Sequence, residues 1–126
     1  MTLLPITPDA PLAHVYLNAD PDRMAMVDGY RTGHPLRHCF QLPLTADEQA
    51  MSREQLAERM FHLFNVGDDP AYGTPDERAI AYRLACNRSL SVGDVVEIDG
   101  TFLAVASCGF DVIAPPEKGQ IRALWE

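Results

Sequence analysis

An Asp-Gly pair at residues 99 and 100 constrains the fold more than any other feature of the sequence. It separates two runs that are rich in β-branched and apolar residues, Asp94–Ile98 and Thr101–Ser107. A two-residue hairpin turn needs positive φ at both central positions, and Asp-Gly tolerates this better than most pairs. The resulting register pairs Val96 with Leu103 and lets both face a core. We therefore predict an antiparallel hairpin that turns at Asp-Gly.

Three further segments have the composition of strands. Phe110–Ile113 can return beside the hairpin as the third strand of a β-meander. Ala13–Leu17 is a short β-rich run, and Leu36–Leu42 alternates strictly between two sets of residues. The first set would share one face of the sheet: Leu36, His38, Phe40 and Leu42. We expect the meander and the 36–42 strand to form one antiparallel sheet.

A first helix is predicted after Ser52, because Ser52 and Gln55 have the spacing of a capping box. The helix would end near Asn65 and Gly67, which tolerate the left-handed conformation of a helix terminus. A second capping box is available at Thr45 for a short turn before it. Four apolar residues of the first helix recur at helical spacing and form its predicted buried stripe: Leu56, Met60, Leu63 and Phe64.

A second helix is predicted from the segment Thr-Pro-Asp-Glu at residues 74–77. Thr74 would be the N-cap, Pro75 suits the first helical position, and Glu77 stands three residues after the cap. The helix would end at Asn87. Its predicted buried side consists of four apolar residues: Ile80, Ala81, Leu84 and Ala85.

The fold class that follows is α+β, with two amphipathic helices packed on one face of the antiparallel sheet. The chain has 126 residues and 47% hydrophobic residues, which fits a single domain over residues 1–126. Residues 1–12 contain three prolines and are expected to be an extended lead-in. Residues 114–126 are expected to be a tail that can dock through Ile121, Leu124 and Trp125.

The charge balance argues against several classes of partner. Eighteen acidic and ten basic residues give a formal charge of −8, so DNA, RNA and anionic lipid surfaces would be repelled. The acidity can simply keep the protein in solution, or it can match a basic groove on a protein partner. No apolar run is long enough to span a membrane, and the N-terminus lacks the pattern of a signal peptide. Three widely spaced cysteines fit reduced thiols in the cytoplasm.

The segment between the second helix and the hairpin contains the candidate site residues Arg88, Ser89 and Ser91. A nucleophilic serine needs a base within hydrogen-bond reach, and the chain has a single lysine, Lys118, in the predicted tail. We therefore predict no catalytic residues and interpret the serines as part of the chain's entry into the hairpin. The four histidines are scattered, so no metal site and no cofactor are predicted. Further candidates for partner or ligand binding are loop residues: Asp68, Asp69 and Tyr72.

Three motifs carry a resemblance to a known family: Phe64-Asn65, the run NRSLSVGDVV at residues 87–96, and Ser107-x-Gly109-Phe110. The segment Phe64–Ile113 resembles the YodL-like domain of bacterial and mobile-element proteins. That family has no established activity, so the resemblance implies no catalytic residues. It implies a context of phage and plasmid proteins, in which such modules accompany anti-restriction domains.

Together these features predict a small acidic cytoplasmic protein that binds a protein partner without catalysis. In its narrower form the hypothesis is an accessory protein of a mobile element that inhibits a host defence enzyme. The alternative is a small-ligand-binding or enzymatic domain that uses the loop containing Arg88, Ser89 and Ser91.

Overall fold

A computed structural model of the chain describes residues 10–21 and 24–122. Within these ranges the chain forms one six-stranded sheet, four helices and two 3-10 turns. The strands are β1 Leu12–Asn18, β2 Leu36–Pro43, β3 Val95–Ile98, β4 Thr101–Val105, β5 Phe110–Ile113 and β6 Ile121–Arg122. The helices are α1 Ala25–Asp28, α2 Ala46–Gln49, α3 Arg53–Val66 and α4 Glu77–Leu84, and the 3-10 turns are Pro70–Tyr72 and Lys118–Gln120.

The sheet has the strand order β5-β4-β3-β1-β2-β6, and only the β2–β6 pair is parallel. This arrangement confirms the predicted α+β class. The hairpin turns at Asp99 and Gly100, which have φ values of 50° and 78°. Its register pairs Val96 with Leu103, as predicted. β1 connects the C-terminal meander to β2, so the two halves of the chain share one sheet.

Helices α3 and α4 pack on one face of the sheet and form the main core with it. Both predicted capping boxes are present, at Thr45 before α2 and at Ser52 before α3. The four predicted stripe residues of α3 are all buried. The main core combines these helices with the inner side of four strands: Ala13, Val15, Leu17, Cys39, Leu42, Leu56, Ala57, Met60, Leu63, Phe64, Ala79, Tyr82, Val96, Ile98 and Leu103.

The predicted cap and buried side of the second helix are wrong. The N-cap of α4 is Asp76, whose carboxylate accepts a hydrogen bond from the backbone N–H of Arg78. The side chains that α4 buries are Arg78, Ala79 and Tyr82. The ring of Tyr82 lies in the core. Its burial is possible because the hydroxyl donates a hydrogen bond to the carbonyl of Arg88 at 2.7 Å, so the polar end of the side chain has a partner. The four residues predicted to be buried lie on the exposed side: Ile80, Ala81, Leu84 and Ala85.

The strict alternation predicted for the 36–42 strand is also wrong. The pairing of β1 with β2 shifts between Val15 and Tyr16, and Cys39 is the extra residue of the resulting bulge. Cys39 and Leu42 both face the main core, whereas Leu36 faces the other side of the sheet. Burial raises the pKa of the Cys39 thiol to about 11. The bulge therefore places Leu36 and His38 on the opposite face of the sheet from Phe40 and Leu42.

The other face of the sheet carries a smaller apolar cluster around Tyr16, Leu36, Val95 and Ala104. Part of the predicted tail contributes to it, because β6 pairs with β2 and Ile121 packs against the cluster. The strands β3 and β4 are shorter than predicted, by one residue and two residues. Leu124 and Trp125, like residues 1–9, lie outside the described residues.

A buried charge cluster joins α2, α4 and the end of β2. Arg78 is 7% exposed and uses all five of its N–H donors. It donates to both carboxylate oxygens of Glu48 at 2.6 and 2.8 Å, to both oxygens of Asp76, and to the carbonyl of Pro43. Arg59 of α3 adds a further bond to Glu48 at 3.2 Å. We call this set the Arg78 cluster.

Candidate functional site

The connection between α4 and β3, residues 87–94, is organised around the carboxylate of Asp94. This side chain is fully buried. One of its oxygens accepts the backbone N–H of Asn18 and the other accepts the backbone N–H of Ser91, both at 2.8 Å. The guanidinium of Arg88 donates to both oxygens, at 2.6 and 2.8 Å. A bidentate guanidinium and two backbone donors satisfy and neutralise the buried carboxylate.

The terminal N–H groups of Arg88 bond to acceptors within the chain. Its terminal nitrogens also donate to the carbonyls of Ser89 at 3.0 Å and Asn18 at 3.3 Å. The hydrogen bonds with Asp94 raise the pKa of Arg88, so it stays charged. Although the side chain is partly exposed, its terminal N–H groups already have acceptors within the chain, and this leaves little capacity to bind a ligand.

The two serine hydroxyls are held by arginines. Ser89 Oγ accepts a hydrogen bond from Arg83 at 2.6 Å, and Ser91 Oγ lies 3.4 Å from Arg88 Nη1. A guanidinium donates hydrogen bonds and cannot accept the proton of a nucleophile. Among the described side chains, no other group hydrogen-bonds to either hydroxyl. The geometry therefore assigns both serines to holding the connection in place.

Arg83 is the residue that links the predicted candidates, and the sequence did not single it out. It donates to Ser89 and to the last carbonyls of α3, those of Phe64 and Asn65, at 2.9 and 3.1 Å. Its Nε also lies 3.9 Å from a carboxylate oxygen of Asp68. An arginine on one helix that caps another gives no local pattern, because the capped residues are about twenty positions away.

Asn65 joins two of the motifs on which the predicted family resemblance depends. Its side-chain oxygen accepts the backbone N–H of Leu90 at 2.7 Å, and its amide donates to the carbonyl of Leu90 at 3.2 Å. The Phe-Asn pair and the RSLSV run are thus in contact in the fold. Their joint role is to fix the chain between α3 and the hairpin.

The remaining predicted candidates lie on the loop between α3 and α4. Asp69 caps the 3-10 turn Pro70–Tyr72 by accepting the N–H of Ala71 at 2.9 Å. Tyr72 is 63% exposed and its ring contacts His62 edge-on. Asp68 is half-buried beside Arg83. Of these three residues, only Asp68 contacts the Arg83 side chain, and none of them bonds to Asp94.

A groove of about 430 Å³ lies beside Arg88. Seven of the described residues line it: Asn18, Ala19, Asp20, Ala25, Met26, Arg88 and Val92. Neither Ser89 nor Ser91 is among them. The three residues of the predicted loop site therefore do not converge on one cavity.

The outer side of α4 carries exposed apolar side chains. Ile80 and Leu84 are separated by one helical turn, and they point away from the core-facing Ala79 and Tyr82. Their exposed fractions are 39% and 79%. The outer side of a surface helix is normally polar or charged. We call Ile80 and Leu84 the α4 ridge.

Acidic groups border the α4 ridge. Glu77 precedes Ile80 by three residues and is exposed, so the two side chains share the outer surface of the helix. The loop that contains Asp68 and Asp69 is attached to the same helix through Arg83. The basic side chains of α4 are occupied, because Arg78 is buried in its cluster and Arg83 caps α3. Glu77 is therefore the exposed charged residue of α4.

Two histidines meet on the sheet face opposite α3 and α4. His14 Nδ1 lies 3.0 Å from His38 Nε2, and the ring of Tyr16 stacks on His38. The hydroxyl of Tyr16 donates to Glu97 at 3.2 Å. Burial and the neighbouring His14 lower the pKa of His38, and burial and Glu97 raise the pKa of Tyr16. The sequence did not predict this contact, because the bulge in β2 decides which residues of the strand face His14.

Comparison of the chain with protein-family models, with curated proteins and with solved structures found no match. The resemblance to the YodL-like family therefore remains a prediction.

Residues 10–21 and 24–122 contain no group of three or more His, Cys, Asp or Glu side chains arranged to hold a metal ion. No helix in the same ranges is long and apolar enough to cross a membrane. The three cysteines are free thiols; Cys39 is buried, and Cys86 and Cys108 are exposed.

Proposed function

We propose that the protein is a non-catalytic module that binds a protein partner through the α4 ridge. The supporting observation is the exposure of Ile80 and Leu84 on the side of α4 opposite the core. Covering a side chain of this size stabilises a complex by about 1.5–3 kcal/mol when the side chain becomes fully buried. A partner that covers the ridge would therefore gain a hydrophobic contact that the chain itself does not make.

The partner we propose carries apolar side chains flanked by lysine or arginine. Glu77 borders the ridge, Asp68 lies 3.9 Å from Arg83 of the same helix, and the whole chain has a formal charge of −8. Such a border attracts a basic surface and repels acidic ones, including a second copy of this chain. Binding should consequently weaken as salt screens the charges.

The alternative function, a small-ligand or enzymatic site at Arg88, Ser89 and Ser91, has weaker support. The side chains of these residues bond to neighbouring parts of the chain, and the groove beside Arg88 is not lined by either serine. The cytoplasm is the setting we propose, since free thiols persist in a reducing compartment. Association with a mobile element belongs to the same proposal and rests on the resemblance to the YodL-like family.

The test compares two variants in a capture experiment from bacterial lysate. Ile80→Gln combined with Leu84→Gln removes the apolar ridge without changing the charge, and glutamine is a good helix former. Val112→Thr is the matched control, because Val112 is 70% exposed on β5, away from α4. Circular dichroism and thermal unfolding should be the same for the wild type and both variants.

We expect one or more proteins to be retained by the wild type and by Val112→Thr, and to be lost by the α4 double variant. The retained proteins should elute as the salt concentration is raised from about 0.05 to 0.5 M, as the Debye length falls. A partner that the double variant still retains would show that another surface binds it. Retention that salt does not affect would refute the proposed basic partner.

A further inference from the structure

The histidine pair on the open face of the sheet has the spacing of two ligands of one metal ion. His14 Nδ1 and His38 Nε2 are 3.0 Å apart. Imidazole nitrogens lie about 2.0–2.1 Å from a zinc ion and at similar distances from copper and nickel. Two nitrogens bound to the same ion are about 2.9 Å apart when the nitrogen–metal–nitrogen angle is a right angle, and about 3.3 Å apart when the site is tetrahedral. The observed separation lies between these values.

The ring of His38 is oriented by its neighbours on the sheet. The ring of Tyr16 stacks on it, with the ring centroids 4.9 Å apart, and Nε2 is the nitrogen that faces His14. When the proton of the ring is on Nδ1, Nε2 has a lone pair that can bind an ion.

The charge beside the pair is negative. Glu97 on β3 is the direct neighbour of His14 on β1, so both side chains lie on the same face of the sheet. Its carboxylate acts electrostatically on His38 and is held by the hydroxyl of Tyr16. Both histidines and Glu97 are half-buried, so water can reach them. A cation at this place would be favoured by Glu97 and could retain water ligands.

We propose that His14 and His38 together bind one divalent transition-metal ion of the copper, nickel or zinc class, with solvent completing its coordination. Binding requires both facing nitrogens to be unprotonated. The proton that the two facing nitrogens share therefore moves to a ring nitrogen that faces away from the ion. Two residues supply the protein ligands, and no group of three ligating side chains is present among the described residues. The site is therefore open to solvent.

The experiment is a calorimetric titration of the full chain with copper, nickel and zinc salts in a buffer that does not bind metals. His14→Gln and His38→Gln each remove one ligand and keep a polar side chain. The matched control is His62→Gln, because His62 is exposed on α3, on the opposite side of the sheet. We expect one ion per chain for the wild type and for His62→Gln, and a loss of affinity of at least about tenfold for the other two variants.

A measurement on the wild type alone keeps the test decisive if a variant fails to fold. The electron paramagnetic resonance spectrum of one equivalent of Cu²⁺ should show coupling to two imidazole nitrogens. The same ion should broaden the proton resonances of His14 and His38, and leave those of His62 sharp. No binding, binding unaffected by either substitution, or broadening centred on His62 would overturn the proposal.

Discussion

Replacing Arg78 by methionine is the change we expect to destabilise the fold most clearly. Arg78 is 7% exposed and makes five hydrogen bonds, which connect α4 to α2 and to the end of β2. Methionine retains most of the volume and none of the donors. Glu48, 2% exposed, would keep only its bonds from Thr45 and Arg59.

Two routes give a similar magnitude for the loss. Removing one partner of a buried ion pair costs about 3–5 kcal/mol, because the other charge remains buried without compensation. Burial alone would raise the pKa of Glu48, but bonds from Arg78, from the N–H of Thr45 and from Arg59 lower it from 4.5 to about 2. Such a shift corresponds to about 3 kcal/mol at neutral pH. We expect a loss of about 3 kcal/mol.

The assay is urea unfolding at pH 7, followed by circular dichroism at 222 nm. Arg53→Met is the matched control, because Arg53 is exposed in the first turn of α3 and should change the stability by less than about 0.5 kcal/mol. Combining Arg78→Met with Glu48→Met should restore part of the stability, since the unpaired carboxylate is then absent. The reasoning fails if Arg78→Met behaves like the control, or if the double variant loses the sum of both single effects.

The same cluster predicts the acid limb of the stability curve. Because the pKa of Glu48 is lowered in the folded state, its contribution is complete above about pH 4.5 and is lost as the pH falls towards 2. In Arg78→Met the chief donor is gone and burial raises the pKa of Glu48 again. The fall in the free energy of unfolding between pH 5 and 2 should then be smaller than in the wild type. An unchanged slope would refute this explanation of the cluster.

Three further predictions concern the sheet and its turns. Gly93→Ala should lower the free energy of unfolding by about 2–4 kcal/mol, because Gly93 has a φ of 95° and a new Cβ would lie 2.8 Å from Cβ of Ala25. Gly100→Ala should lower it by only about 1 kcal/mol, because Gly100 has open space around it. Asp99 has a φ of 50°, which a β-branched residue adopts poorly and asparagine adopts well. Asp99→Val should therefore lower the free energy of unfolding by about 1–2 kcal/mol in urea unfolding, and Asp99→Asn should leave it nearly unchanged. Burial and the neighbouring His14 lower the pKa of His38 in the folded protein. As the pH falls below about 6.5, the unfolded chain therefore binds a proton at His38 more readily than the folded chain does. The free energy of unfolding should therefore fall between about pH 7.5 and 5.5, and less so in His38→Gln, when measured with a chelator present.

The parts of the fold that the sequence predicts correctly depend on neighbours in the chain. The turn at Asp99 and Gly100 requires positive φ at two adjacent residues, and the capping boxes at Thr45 and Ser52 require residues three positions apart. These signals are complete within a few residues. The register of the hairpin followed from the turn alone.

The parts that the sequence missed depend on residues far along the chain. The buried side of α4 contains Tyr82 and Arg78, and their polar groups are satisfied by Arg88 and by Glu48 of a different helix. Without those partners, Ile80 and Leu84 are the more hydrophobic pair, and the apolar pattern favours burying them. The bulge at Cys39 is likewise set by the pairing with β1, so the histidine contact has no signal in the sequence of β2.

The role of the candidate residues depends on contacts that their local sequence does not contain. Arg88, Ser89 and Ser91 lie together, as their spacing implied, but their bonds to Asp94 and Arg83 are those of a structural connection. The groups that bond to the buried carboxylate of Asp94 come together only in the folded chain. A local sequence motif therefore cannot identify them.

The central position of β1 sets a lower limit on the size of a piece that can fold by itself. The segment Phe64–Ile113 contains the whole meander but lacks β1, which pairs with β3 and supplies the N–H of Asn18 to Asp94. A fragment of this extent would have an uncovered backbone edge along β3 and one donor fewer for a buried carboxylate. Such edges pair with those of other chains, so the fragment would self-associate rather than act as an independent domain.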